Sequence, residues 1–234
     1  MVKLLEKTKL LDYDNANISD LIKNKRWFDL NEKEKIRQIY EFVRDDIKFG
    51  YNIDDGIPAS KVLQDGYGQC NTKGILFMAL LRAVKIPCRI HGFTIDKILQ
   101  KGAIKGFYYA LSPREIVHSW VEIYYKDKWY NLEGFILDKL YLNKLQNKFS
   151  DCSTNFCGYG VGVKDFINPP IDWNENDTYI QSEGIVQDFG VFDTPDELFT
   201  KHFQKLSPFK IFMFKNVIRH LMNKNVDKIR NTLA

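Results

Sequence analysis

The segment Ile75-Leu76-Phe77-Met78-Ala79-Leu80-Leu81 carries no polar side chain and lies inside a stretch of helix length. A surface helix needs only one apolar stripe, so a helix that is apolar on nearly all sides has to be covered all round. Gly66 and Gly68 open the stretch and Ile86-Pro87 close it, which predicts a central, buried helix from about Cys70 to Val84. The run is broken by Arg82 well short of the roughly 18 apolar residues of a membrane span. The rest of the chain must therefore supply the layers that bury this helix.

Ile36, Ile39, Tyr40 and Val43 fall at helical spacing behind Asn31 and Glu34, a pair that resembles a capping box, and predict a surface helix over Glu32 to Asp46. A short strand over Lys48 to Asn52, a turn at Asp54-Asp55-Gly56-Ile57-Pro58 and a short helix over Ala59 to Leu63 follow. Strands are predicted at Cys88 to Thr94, Ile116 to Tyr125 and Lys128 to Leu132, with a less regular stretch and a short helix in 95–115. Residues 1–29 read as mixed, with Asp12, Asp14, Asn15 and Asn17 marking turns. Residues 148–190 are rich in Gly, Asn, Asp and Pro and leave strand content undecided. Thr194-Pro195-Asp196-Glu197 is a helix start, and a last helix is predicted over about Pro208 to Asn223. With no repeat, low-complexity tract or evident linker, one domain over 1–234 is expected. It has a core over about 32–140, an irregular extension over that core in 141–190, and C-terminal helices in 191–234.

The chemistry concentrates in three places. Cys70 stands at the predicted start of the buried helix. Unpaired backbone N–H groups there favour negative charge, and a thiol in such a setting is activated as a thiolate. The same groups can stabilise an oxyanion beside the sulfur. The alternative is a buried structural cysteine, which is what Cys88 on its core strand is expected to be. Cys152 and Cys157 have no second ligand pair, so no zinc site is expected.

His118, Trp120, Glu122 and Tyr124 alternate onto one face of their strand. A two- or four-residue turn at Lys126-Asp127 pairs Tyr124 with Trp129 and Glu122 with Asn131, and sets His118 and Glu133 on one face as diagonal neighbours. A carboxylate holding one imidazole nitrogen while the other faces a thiol is a nucleophile–base–orienter arrangement. Glu122 shares the face and is the second candidate for the acid. A half-exposed strand histidine and a turn carboxylate are the plain alternatives.

The 34 basic and 30 acidic residues give a net charge of +4, close enough to balance that no nucleic-acid partner is expected. The N-terminus shows no signal-peptide core, so a cytoplasmic protein with reduced thiols is expected. Asp54-Asp55 and Asp172, Glu175 and Asp177 read as solvated turns rather than a metal site, and no cofactor is expected.

Gly68-Gln69-Cys70, His118-Ser119-Trp120-Val121-Glu122 and Trp129 to Glu133 occur in an order and spacing that resemble the transglutaminase-like superfamily, a circularly related branch of the papain-like thiol enzymes. Leu80 to Arg89 and Ile39 to Asp45 are similar to the family's flanking segments, so the resemblance covers about residues 32–140. It implies an α+β, papain-like/transglutaminase-like core in which the central helix starts at the catalytic cysteine and packs on an antiparallel sheet. Cys70 would be the nucleophile, His118 the general base and acid, and Glu133 the orienting carboxylate, with Gly68, Gln69 and Trp120 as substrate-binding positions. The family commonly has Asp-Pro where this chain has Glu133-Gly134. Family oxyanion donors beyond the helix start vary, and Gln69 and Gln64 are candidates only. The implied function is thiol-dependent acyl transfer, or hydrolysis, of an amide or peptide bond through a thioester, with hydrolysis favoured. The partner is then a peptide or small amide substrate, no membrane contact is expected, and oligomeric state is left open. The alternative is a non-catalytic binding protein on the same fold, using the basic C-terminal face (Lys201, Lys205, Lys210, Lys215, Arg219, Lys224, Lys228, Arg230) toward an acidic partner or membrane surface.

Overall fold

A computed structural model describes residues 2–232. After a short 3-10 turn over Val2–Leu5 come helix α1 (Ala16–Asn24) and helix α2 (Glu32–Glu41), which continues without a break as a π-helical turn over Phe42–Asp46. Then come strand β1 (Lys48–Phe49), helix α3 (Ala59–Asp65), strand β2 (Tyr67–Gly68) and helix α4 (Cys70–Ala83). Strand β3 (Cys88–Asp96), helix α5 (Gly106–Leu111), strands β4 (Glu115–Tyr125) and β5 (Lys128–Leu132) and helix α6 (Lys139–Lys148) form the middle. The remainder is β6 (Phe156–Gly158), β7 (Val161–Val163), β8 (Ile185–Phe192), α7 (Pro195–Lys201) and α8 (Pro208–Met213). A π-helical turn, Phe214–Ile218, leads from α8 into α9 (Arg219–Arg230).

Every residue of α4 from Asn71 to Ala83 is buried, as its apolar perimeter requires. One layer over it is the antiparallel sheet, in the order β5-β4-β3-β8. Val121 and Ile123 of β4 and Ile90 of β3 join α4 in a single cluster of buried side chains. The mixed α+β architecture, with the central helix packed on an antiparallel sheet, is the expected one. α4 also buries charge. Arg82 is fully buried and donates to the carbonyls of Glu6 (2.8 Å) and Cys88 (2.9 Å), which ties the N-terminal segment to the start of β3.

The β4–β5 hairpin turns at Lys126 (φ 50°) and Asp127 (φ 60°), a two-residue connection with both residues left-handed that matches the twist of the strands. Its register pairs Tyr124 with Trp129, Glu122 with Asn131 and Val121 with Leu132. Helix α7 starts where Thr194 accepts from the Glu197 N–H (3.1 Å), and it docks on β3 over Gly92. A Cβ there would come within 2.3 Å of Leu198, so only glycine lets the helix lie this close.

The structure adds elements that the sequence pattern does not announce. Asn15, a turn marker in the sequence, is the N-cap of α1: its side chain accepts from the Asn17 N–H, and turn and cap use the same side-chain chemistry. β8 falls largely inside the stretch read as irregular. It is an edge strand, mostly exposed, with two register shifts against β3, so it shows no alternation to detect. No helix among the described residues is long and apolar enough to cross a membrane.

α9 is fastened to the core at both ends. Asn223 accepts from the Tyr51 N–H (2.7 Å) and donates to its carbonyl (3.1 Å). Buried Arg230 donates to Asp138 (2.7 Å) and to the carbonyl of Phe49 (2.9 Å). Lys215 is paired with Asp54 and Lys201 with Glu197, so several basic side chains of this region serve contacts within the chain.

Candidate active site

Cys70 is set by a tight relay of short elements. Gly66 ends α3 in the left-handed conformation (φ 69°), and the chain enters β2, which pairs in parallel with β1. Gly68 then lies against the first turn of α4. A Cβ on it would sit 2.7 Å from Thr72 Oγ1 and 2.9 Å from Lys73 Cγ, so its absence is what lets the chain turn at once into the helix. Gly68 is buried, and its contribution is to this turn. Gln69 is the N-cap residue. Its side-chain oxygen accepts from the Asn52 N–H (2.9 Å), its amide donates to Asp55 Oδ1 (2.8 Å), and its backbone N–H donates to Thr72 (3.1 Å). Cys70 follows as the first helical residue, half-buried, with the unpaired N–H groups of the helix start around it.

His118 comes to this end of α4 from β4. Its side chain is fully buried, Nε2 is 2.9 Å from Glu133 Oε1, and the Phe93 ring packs against the imidazole at 4.8 Å between centroids. The carboxylate bond sets the proton on Nε2 and leaves Nδ1 as the free nitrogen. Nδ1 is buried and makes no hydrogen bond of regular geometry, yet Cys70 is near enough to act on it. Burial pushes the imidazole pKa down. Cys70, by charge and hydrogen bond, and after it the Glu133 carboxylate push it up by more, so it lies above its ordinary value. Tyr51 borders the same thiol: burial, and then the Cys70 charge, hold its hydroxyl well above the usual range.

Glu133 is the first residue past β5 and is fully buried. Its Oε2 accepts the backbone N–H groups of Ile180 and Gln181, both at 2.8 Å, while its own N–H donates to the Thr178 carbonyl (2.9 Å). Both carboxylate oxygens are therefore used, one on the imidazole and one on the chain that precedes β8. Glu122, the second candidate for the acid, is turned elsewhere. It accepts from Arg89 (2.6 Å) and bonds His91 Nδ1 (2.9 Å), whose Nε2 reaches Asp188 (2.8 Å). Trp120 stands half-buried beside Phe93 (4.6 Å) and His91 (4.8 Å), and its indole N–H is buried without a partner.

Three residues of the site have no signal of their own in the sequence. Asn71 donates to the Val117 carbonyl (3.2 Å) and accepts from Ser119 (2.9 Å), which stitches the residue after Cys70 to both neighbours of His118. Asp55 looks like any acid of an Asp-Gly turn, yet it reaches Gln69, and its carboxyl is within electrostatic reach of His118. Lys73 lies fully buried one turn below Cys70. It donates to the carbonyls of Ile136 (2.9 Å) and Arg44 (3.1 Å), and burial pushes its ammonium down to about 7. Among the described residues, no group of three or more His, Cys, Asp or Glu is arranged to hold a metal ion.

Residues 22–134 match the family model described as the transglutaminase-like superfamily. One similar solved structure is a putative cysteine protease from Cytophaga hutchinsonii, at 18% identity and a TM-score of 0.44, covering 59% of this chain. The chain spans 43% of the length of that protein. No curated protein matches the chain.

Proposed function

We propose, from the transglutaminase-like core carried by residues 22–134, that the protein is a thiol enzyme. In this reading it cleaves an amide or peptide bond through a thioester on Cys70. The observation that supports this best is the doubly anchored Glu133, which fixes a fully buried His118 by Nε2 and leaves Nδ1 free on the side of Cys70. The Cys70 thiolate attacks the carbonyl carbon, and the electron pair of the C=O bond moves onto oxygen. The N–H groups at the start of α4 face that oxyanion. His118 then gives its Nδ1 proton to the leaving amine as the C–N bond breaks, leaving the acyl group on sulfur. Water attacks the thioester, its proton goes to Nδ1, and the acid departs with the thiolate restored. An amine in place of water would give transfer by the same steps, and hydrolysis is the outcome proposed here.

p-Nitrophenyl acetate tests this reading. The wild-type chain should release nitrophenolate repeatedly and show one acetyl group on the peptide containing Cys70. Cys70→Ala should lose the turnover by about 10³-fold or more, and His118→Ala should lose it to a similar extent. Added primary amine partitions the acyl group between water and amine, and the product ratio reads hydrolysis against transfer. Turnover in Cys70→Ala equal to that of the wild type would refute the proposal.

A further inference from the structure

We propose that the cleft between α5 and α9 is a binding site for a long-chain fatty acid, with the acyl chain held between the helices and the carboxylate on Lys105 and Lys224. None of the residues around Cys70 lines this cleft, so the proposal stands apart from the reading of that thiol as a nucleophile.

The first support is the cleft itself. Ile104, Tyr108, Ile218, Leu221 and Met222 wall a space of about 220 Å³. An apolar cavity of about 150 Å³ already takes up benzene. Ile104 and Met222 are buried while Leu221 is 41% exposed, so the space runs from the interior to solvent. Phe107, 73% exposed, packs on Tyr108 with ring centroids 6.1 Å apart and carries apolar surface beyond the wall. α5 buries none of its own residues, so an acyl chain laid here removes from water a surface that the fold leaves wet.

The second support is charge. Lys105 and Lys224 also line the cleft. The stretches that build it, 97–114 and 198–226, contain no Asp or Glu. Elsewhere in the second stretch, Lys210 donates to the Leu111 carbonyl (3.0 Å) and Lys215 to Asp54 (2.7 Å). Asp227, the next acid on α9, is paired with Arg230 (2.7 Å). Lys105 and Lys224 have no such partner among the described residues, so both ammonium groups are available to an anion. An acidic head on an apolar tail satisfies both features at once, whereas a fatty alcohol satisfies only the first. A bilayer presents a flat face, and this space is walled on both sides and admits one chain.

Displacement of cis-parinaric acid, read by its fluorescence, tests the site in the whole chain, with every ligand kept below the concentration at which it forms micelles. Binding should saturate at one ligand per protein. Along a series of saturated acids, affinity should rise by up to about fourfold per added methylene and level off once the cleft is full. Dodecanoic acid should bind about three- to tenfold tighter than dodecanol. Lys105→Gln and Lys224→Gln together should remove that preference. Leu221→Gln should weaken acid and alcohol alike by about fivefold or more. All three side chains are exposed, so these variants keep the fold. Vesicles of phosphatidylcholine and phosphatidylglycerol should leave the protein in solution. Absence of saturable parinarate binding overturns the proposal, and sedimentation with the vesicles in its place would make this face a membrane contact. An affinity that ignores chain length overturns it as well. So does an acid-to-alcohol ratio that the double lysine variant leaves within about twofold.

Discussion

Glu133 holds His118 at 2.9 Å through one oxygen while its other oxygen is bound by two consecutive backbone N–H groups, those of Ile180 and Gln181. The carboxylate cannot turn away from the imidazole without leaving those donors unpaired in the interior. The orientation of His118 is thus set by a segment nearly fifty residues further along the chain.

Glu133→Gln puts an amide where two sets of donors converge. Its single oxygen can serve either the His118 Nε2 proton or the two backbone N–H groups, and its NH2 then faces a donor. The expected loss is about 1–3 kcal/mol of stability, measured by urea unfolding. Turnover of the activated ester should fall by about 10²–10⁴-fold, because the wrong tautomer of His118 becomes favoured.

The raised pKa of His118 implies a pH dependence of stability. Burial lowers it, but Cys70 and then Glu133 raise it by more, so the folded value lies above the ordinary 6.5. Stability from this group is complete below 6.5 and is lost as pH rises to the folded value. Cys70→Ala removes the largest upward influence. The His118 imidazole, titrated by NMR through its ring protons, should therefore ionise at a lower pH in Cys70→Ala than in the wild type. Equal midpoints in both proteins would contradict the coupling of Cys70 to His118.

Lys73 works in the opposite sense. Burial lowers its ammonium from 10.5 to about 7, so the unfolded chain holds the proton over that interval and stability rises with pH across it. In Lys73→Met this slope should vanish. The difference in melting temperature between variant and wild type should move steadily against the variant from pH 7 to 10.5. A constant difference over that range would mean that Lys73 titrates normally.

Gly134 follows Glu133 where no side chain has room. A Cβ at this position would lie 2.6 Å from the Tyr40 hydroxyl and 2.8 Å from the Ile171 Cα. Tyr40 donates to the Ile171 carbonyl at 2.7 Å, so neither neighbour can withdraw freely. Gly134→Ala should cost about 1–3 kcal/mol in chemical denaturation and should also lower turnover by displacing Glu133.

The parts of this fold that follow a period were legible in the sequence. The all-round apolar run gave α4, and alternation plus a turn of even length gave the β4–β5 register that puts His118 and Glu133 on one face. Contacts between distant segments left no such trace. Nothing near Ile180 and Gln181 marks them as donors to Glu133, because the donors are backbone groups that any residue carries. Glu122 and Glu133 share a face in the pattern, and only the positions of Arg89 and His91 show why the first is engaged elsewhere. Asp55 reads as a solvated turn acid in the sequence, because its bond to Gln69 joins residues 14 apart and leaves no local pattern. α1 and β8 escaped for want of a stop signal and of alternation.

Arg230 bonds the Asp138 carboxylate and the Phe49 carbonyl, and Phe49 belongs to the strand that runs beside the approach to Cys70. A ribosome delivers Cys70, His118 and Glu133 long before it delivers Arg230. During synthesis the reacting residues therefore exist on a chain whose nucleophile-side strand still lacks its last clamp. A nascent chain arrested upstream of α9 would carry Cys70, His118 and Glu133 without the Arg230 bonds that join β1 to Asp138.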